Sequence, residues 1–350
     1  MRCEPIRSVL EAQGPAGWWV KPGGGYSPKY TGTVWQLTFL DQLGADAGDS
    51  RIQRGCDYVL AHALTASGGF GASGAKDDRP PPPSRVIHCL NGNLTRALIG
   101  FGRIDDARLQ AAVDWAARAI TGEGADRYYA SGTSGPGFAC AANDKKPCAW
   151  GAVKELLGLA RIPPRKRSRL VRDAIDQGVD FLLSRDPAVA DCPMPSRDTK
   201  PASAWFKASF PAGYVTDVLQ NLEVLAELGH AKDPRLGNAL RRAEAQQDHG
   251  RWINRYAYNG KTVVDIEHQG QPSKWVTLRA CTVLRAAWHR QTRAPTALTW
   301  RPEVLFASAG KRNTSTADAG TETAHRKCRH RRVCRPGDRH AAYLMGTAFN

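Results

Sequence analysis

No stretch of this 350-residue chain approaches the ~20 consecutive apolar residues of a membrane-spanning helix. That excludes a helical membrane span, and the 42% of apolar residues predicts a large buried core instead. The opening residues MRCEPIRSVLEAQ lack an apolar segment of signal-peptide length. The nine cysteines are an odd number, scattered singly, and outline no disulfide framework. Together these features predict a cytoplasmic protein. Acidic residues are few beside basic ones, 33 against 49, for a formal charge of +16. Such an excess favours polyanionic partners. Its placement weakens that reading: residues 301–350 hold ten Lys/Arg and four Asp/Glu, so six of the sixteen excess charges lie there. No specific nucleic-acid partner is expected, while peripheral contact with an anionic membrane surface agrees with the charge.

What the chain has is a period. Residues Tyr214 to Trp252 contain one complete unit. Val215, Val218, Leu219, Leu222, Leu225 and Ala226 fall at helical spacing and predict an apolar helix that Gly229 and His230 stop. Asp233 then offers a cap, Pro234 suits the first helical position, and a polar helix follows to about Gln247. Gln246, Gly250 and Trp252 close the hairpin in the spacing Q-x-x-x-G-x-W. The closure recurs at Gln13, Gly17 and Trp19, with a weaker form at Gly68 and Phe70. The Asp-x-Arg start of the polar helix recurs at Asp49/Arg51 and Asp106/Arg108, and a degenerate copy without the Asp is expected at 163–169.

Apolar helices are predicted over 33–43, 90–101, 149–160, 215–228 and 275–288, within hairpins at 31–70, 88–129, 148–186 and 214–252. The chain opens on a polar helix, Ile6 to Gln13, with no apolar partner before it, which predicts an array incomplete at its N-terminus. After residue 294 the pattern ceases, and 295–350 reads as a disordered basic tail.

The alternating helices, the Q-x-x-x-G-x-W closures, the Asp-x-Arg starts and the segment PSKWVTLRACTVL resemble the repeat of squalene cyclases and protein prenyltransferases, over about residues 5–290. The resemblance implies an all-α fold, an α/α toroid of about four to five helical hairpins in residues 1–294, with inner apolar and outer polar helices. It implies an isoprenoid or other apolar small molecule in the barrel, handled by a terpenoid-cyclase- or prenyltransferase-like protein. The Asp-x-Asp-Asp motif of squalene cyclases is reduced here to Arg103-Ile104-Asp105-Asp106, at the wrong end of an inner helix.

Parallel inner helices would gather their N-termini at one rim, whose free amides and dipoles suit anions. His88, Cys89, Cys148 and His268 fall at that rim and are the candidate metal ligands; zinc is the candidate cofactor, because protein prenyltransferases bind zinc through such residues. Asp217, on a predicted first turn, joins His88 and Tyr214 as the candidate catalytic set. A carboxylate there also serves as a helix-terminus charge, and a lone His or Cys as a core residue. Trp35, Asn93, Trp150, Lys274 and Trp275 are candidate ligand contacts, since aromatic faces stabilise cations and shape a cavity. The alternative from another class is a non-catalytic toroid that binds a peptide or protein.

Overall fold

The three Asp-x-Arg copies fold into one device. Asp49, Asp106 and Asp233 each accept the backbone amide two residues on at 2.9 Å. The arginine at that position folds back, donating from Nε at 3.0 Å and from Nη2 at 2.6–2.7 Å to the two carboxylate oxygens. Such a cap contributes about 1 kcal/mol to the helix it starts. In the degenerate copy Ser168 takes over, its hydroxyl accepting the amide of Val171 at 3.2 Å.

The structure is a computed structural model and describes residues 4–75, 79–124, 134–191 and 201–288. The chain divides into Met1–Ala294 and Pro295–Asn350, and the segment expected as a disordered tail lies outside the described residues. Ten α-helices are found among the described residues: α1 (Ile6–Glu11), α2 (Thr33–Gln42), α3 (Ser50–His62), α4 (His88–Gly100), α5 (Ala107–Thr121), α6 (Ala149–Ala160), α7 (Arg169–Leu183), α8 (Val218–Glu227), α9 (Gly237–Ala245) and α10 (Lys274–Trp288). They alternate in character. In α6 only Trp150 of the twelve residues escapes burial, whereas α9 buries three of nine, so the even-numbered helices form the interior set. The tightest crossing is α4 on α6. A Cβ added to Gly92 would lie 2.3 Å from the backbone of Lys154, so only glycine permits the approach.

Two expectations are corrected. The chain is mostly helical but not purely so, because it carries two three-stranded antiparallel sheets. β1 (Ser134–Gly135), β2 (Ala139–Cys140) and β3 (Lys146–Pro147) precede α6, and β4 (Gln247–Asp248), β5 (Arg251–Ile253) and β6 (Pro272–Ser273) precede α10. In the second sheet Trp252 pairs with Gln247 on one side and Ser273 on the other. The closing turn of a hairpin therefore hydrogen-bonds as a strand to the start of the next interior helix. Secondly, α10 is not enclosed like the other interior helices. It buries one stripe, Val276, Ala280, Val283 and Ala287, and leaves Trp288 56% exposed.

The glycine-aromatic closures tie neighbouring hairpins together. Trp19 and Trp252 are buried and donate from Nε1 to Val9 and Ala243 oxygens at 2.7 Å. Their backbone amides reach forward to the hydroxyls of Thr33 on α2 and Thr277 on α10, at 3.2 Å and 3.0 Å. Phe70 does the same toward Asn91 Oδ1 on α4 at 3.1 Å. Gly17 and Gly68 have positive φ, and a Cβ on either would lie 2.6 Å from a carbonyl oxygen of the next outer helix, Arg54 on α3 or Ala111 on α5. These two closures need glycine for both reasons, and Gly250 needs it for its positive φ alone.

Candidate functional site

The N-terminal ends of α2, α4, α6 and α8 surround an aromatic mouth. Tyr26 stacks on Trp35 with ring centres 4.7 Å apart and meets Tyr214 edge-on at 6.3 Å. Trp150 meets Tyr214 at 5.9 Å, and Tyr30 bridges Trp35 at 4.9 Å and Tyr258 at 4.3 Å. Lys29 Nζ lies over the Tyr30 and Tyr214 rings, 5.1 Å and 5.4 Å from their centres. Trp35 is buried and its Nε1 donates to the Tyr26 oxygen at 2.9 Å, while Tyr26, Trp150 and Tyr214 are half-buried. Trp150 Nε1 donates to Asp191 Oδ2 at 3.2 Å. The buried Tyr26 Oη has no hydrogen-bond partner in the structure. Burial pushes the Tyr26 and Tyr214 phenols above their ordinary range, so both stay protonated donors.

Three thiols belong to this end. Cys89 is on the first turn of α4, Cys140 ends β2, and Cys148 caps α6. Burial pushes Cys89 up to about 12. Cys140 is brought down to about 6, chiefly by the neighbouring Cys148 and then, against burial, by the Ala142 amide, His88 and the Asn143 amide. Cys148 moves the other way.

Below the mouth the interior is filled by the chain itself. Residues 209–217 run between the helices: Ala212 exchanges two hydrogen bonds of 2.7 Å with the Gln42 side chain of α2. Asn93 of α4 donates to Gly213 O at 3.3 Å, and Lys154 of α6 donates to Val215 O at 3.4 Å and Gln220 Oε1 at 2.8 Å. Burial lowers Lys154 to about 7. At the C-terminal end the same helices present charges. Asp41 holds Arg161, Nη1 to Oδ1 at 3.2 Å, and faces Arg96 Nε at 3.6 Å. Arg279 of α10 sits elsewhere, beside the start of α8, where it holds Glu223 at 2.7 Å and lies 3.5 Å from Asp217. Glu227, reached by solvent yet enclosed by protein, is raised by that enclosure against the pull of Arg96 and Arg161.

The expected rim residues separate into several places. Tyr214, Trp35 and Trp150 come together at the mouth, and Cys89 and Cys148 lie beside it. Asn93 is one turn below. His88 faces elsewhere, between Trp115 and Phe138 with ring centres 5.4 Å and 5.8 Å away. Its Nε2 donates to Gly135 O at 3.1 Å and its Nδ1 is 3.2 Å from Glu155 Oε1. Asn91 Nδ2 donates to both Glu155 oxygens at 3.2 Å, and burial raises the Glu155 carboxyl while His88 opposes the rise. Asp217 is the cap of α8, not a first-turn residue. Its Oδ1 accepts Gln220 N at 2.8 Å, and its Oδ2 accepts the Ser209 amide at 2.9 Å and hydroxyl at 2.6 Å. Trp275 forms a separate stack on Phe210 at 5.0 Å, with Lys274 Nζ 5.4 Å from its centre. His268 is exposed in the loop before β6.

The proposed zinc ligands do not fit a metal ion. Both His88 nitrogens are engaged, His268 is exposed on another element, and among the described residues no three His, Cys, Asp or Glu side chains converge on one point. No helix among them is long and apolar enough to cross a membrane.

No protein-family model and no curated protein matches the chain. Among solved structures, a crystal structure of a protein from Actinoplanes aligns with a TM-score of 0.43 and 15% identity, over 81% of this chain and 74% of that one. The type II terpene cyclase MstE from Scytonema aligns at 0.30 and 12% identity, over 80% of this chain and 95% of that chain. In complex with geranylgeranyl dihydroxybenzoate, a variant of the same cyclase aligns at 0.29 and 13%, over 80% and 93%. Likeness at this level is one of fold at most and adds nothing to the chemistry of the mouth.

Sequence reading missed Tyr26, Lys29 and Lys154. The first two sit in a Gly-rich connection without periodicity, where no pattern marks them. Lys154 did leave a signal: with Glu155 it puts two adjacent charged residues in the middle of a helix that is apolar on either side, and such residues are costly to bury without partners.

Proposed function

We propose that residues 1–294 form an α/α toroid that binds an apolar ligand of isoprenoid class at the aromatic mouth rather than through the barrel. The observation that carries this reading is Tyr26 Oη, a buried donor with no partner, set among the rings of Trp35, Trp150 and Tyr214. An unmet buried hydroxyl costs about 1–3 kcal/mol, which a polar atom on a ligand recovers. The rings take the hydrocarbon, Tyr26 and Lys29 take its oxygenated or anionic end, and residues 209–217 form the floor. Binding is the activity supported, because Asp217 and His88 already use their polar atoms within the protein.

The test is calorimetric titration with farnesyl and geranylgeranyl diphosphates and the matching alcohols. Saturable binding that weakens roughly tenfold in Tyr26→Phe and more in Trp150→Ala is expected. Absence of binding by all four compounds to the folded wild-type chain overturns the reading.

A further inference from the structure

Cys140 and Cys148 are placed for chemistry that ligand binding does not require. In the β2–β3 pair Cys140 stands opposite Lys146. Cys148, two residues further on, presents its side chain on the same face as Lys146 and hence as Cys140. The strand pairing continues into Cys148, whose amide donates to Phe138 O at 3.0 Å, so Cys148 is the diagonal neighbour of Cys140, and its thiol is the neighbour that most lowers Cys140, against burial. Both residues are partly reached by solvent. Cys56 is buried, and Cys281 is exposed on α10 away from this sheet. Two thiols at diagonal positions on one face of paired strands, both partly reached by solvent, form the arrangement of an attacking cysteine with its resolving partner.

We propose that Cys140 and Cys148 form a peroxide-sensitive dithiol beside the mouth. Cys140 Sγ attacks the outer oxygen of a hydroperoxide, the O–O bond breaks, and the remaining oxygen leaves as an alcohol, or as water from hydrogen peroxide, taking the thiol proton. Cys140 is then a sulfenic acid. Cys148 Sγ attacks that sulfur, the S–O bond breaks, the hydroxyl leaves with the Cys148 proton as water, and a Cys140–Cys148 disulfide remains. Two thiols are oxidised by two electrons and one peroxide is reduced by two. The bond pins the hairpin between β2 and β3, next to Cys89 and Tyr214, in the oxidised state.

Peptide mapping of the full chain tests this without any substitution. The protein is treated with equimolar hydrogen peroxide, its free thiols are blocked with N-ethylmaleimide, and it is digested with trypsin, which cuts after Lys145 and parts the two cysteines. A linked Cys140–Cys148 peptide, exceeding every other cysteine linkage by roughly tenfold, is expected. Both residues recovered fully blocked while Cys281 is oxidised, or Cys140 linked elsewhere, overturns the pair. The order of attack is read with dimedone, a sulfenic-acid trap. Cys148→Ser leaves an adduct on Cys140 and Cys140→Ser leaves none on Cys148; the reverse pattern refutes the assignment of Cys140 as the attacker.

Discussion

The two ends of the interior helices carry opposite chemistry on the same faces. Along α4 the axial stripe reads Cys89, Asn93, Arg96; along α6 it reads Trp150, Lys154, Arg161; and from the start of α8 it reads Tyr214, Gln220, Glu223. Each passes from ring or thiol, through an uncharged amide or a lysine that burial has lowered to about 7, to a full charge within three turns. Arg96 and Arg161 complement the negative helix ends, and Asp41 and Glu227 keep them neutralised. On the proposed reading, the gradient confines an apolar ligand to one end. A barrel apolar throughout would accept a chain along its whole axis, whereas this interior ends half-way at backbone and lysine.

The comparison breaks most easily at Lys154, which stands at its boundary. The folded chain sheds this proton near pH 7 and the unfolded chain near 10.5. The unfolded state therefore binds more protons between those values, and stability rises with pH across that window, by up to about 1.4 kcal/mol per unit. This contribution is complete above the unfolded value and is lost as pH falls through 7. Lys154→Met keeps the length of the side chain, so chemical denaturation from about pH 7 to 9.5 should show the slope flattened. An unchanged slope would make Lys154 a solvated charge and move the boundary toward the mouth.

A smaller effect is expected at the charged end. Asp41→Ala leaves Arg96 and Arg161 without their shared carboxylate and should lower unfolding free energy by about 3 kcal/mol. A loss under about 1 kcal/mol in urea titration would mark the cluster as ordinary surface ion pairs. The smallest belongs to the mouth. Tyr214→Phe removes a half-buried hydroxyl and should change stability by less than about 1 kcal/mol, since the phenol is raised by burial but anchors no helix. A larger loss would assign Tyr214 to the scaffold rather than to the ligand.

What was legible in the sequence is what local rules encode. The Asp-x-Arg caps, the indole bonds that close each hairpin on itself and the alternation of apolar and polar helices each depend on neighbours within about ten residues, and each is found. The strands were illegible because none exceeds three residues, too few for an alternation to register. The site was only half legible, for a geometric reason. Successive residues on a helix point about 100° apart, so His88 and Cys89 cannot share the axis, and neither can Lys154 and Glu155. Sequence position put His88 at the mouth, yet its ring turns toward Trp115. The filling of the interior by residues 209–217 depends on contacts such as Gln42 with Ala212, 170 residues apart, which no local pattern foreshadows.

That last contact has a consequence for how the molecule breathes. The Gln42 side chain offers Ala212 both a donor and an acceptor at 2.7 Å, as an adjacent strand would, although Ala212 belongs to no helix or strand. Its amide proton should therefore exchange with deuterated water as slowly as those inside α2, and be released only when α2 and the connection ahead of α8 part company. A loop by its secondary structure, residue 212 reports on the integrity of the whole interior.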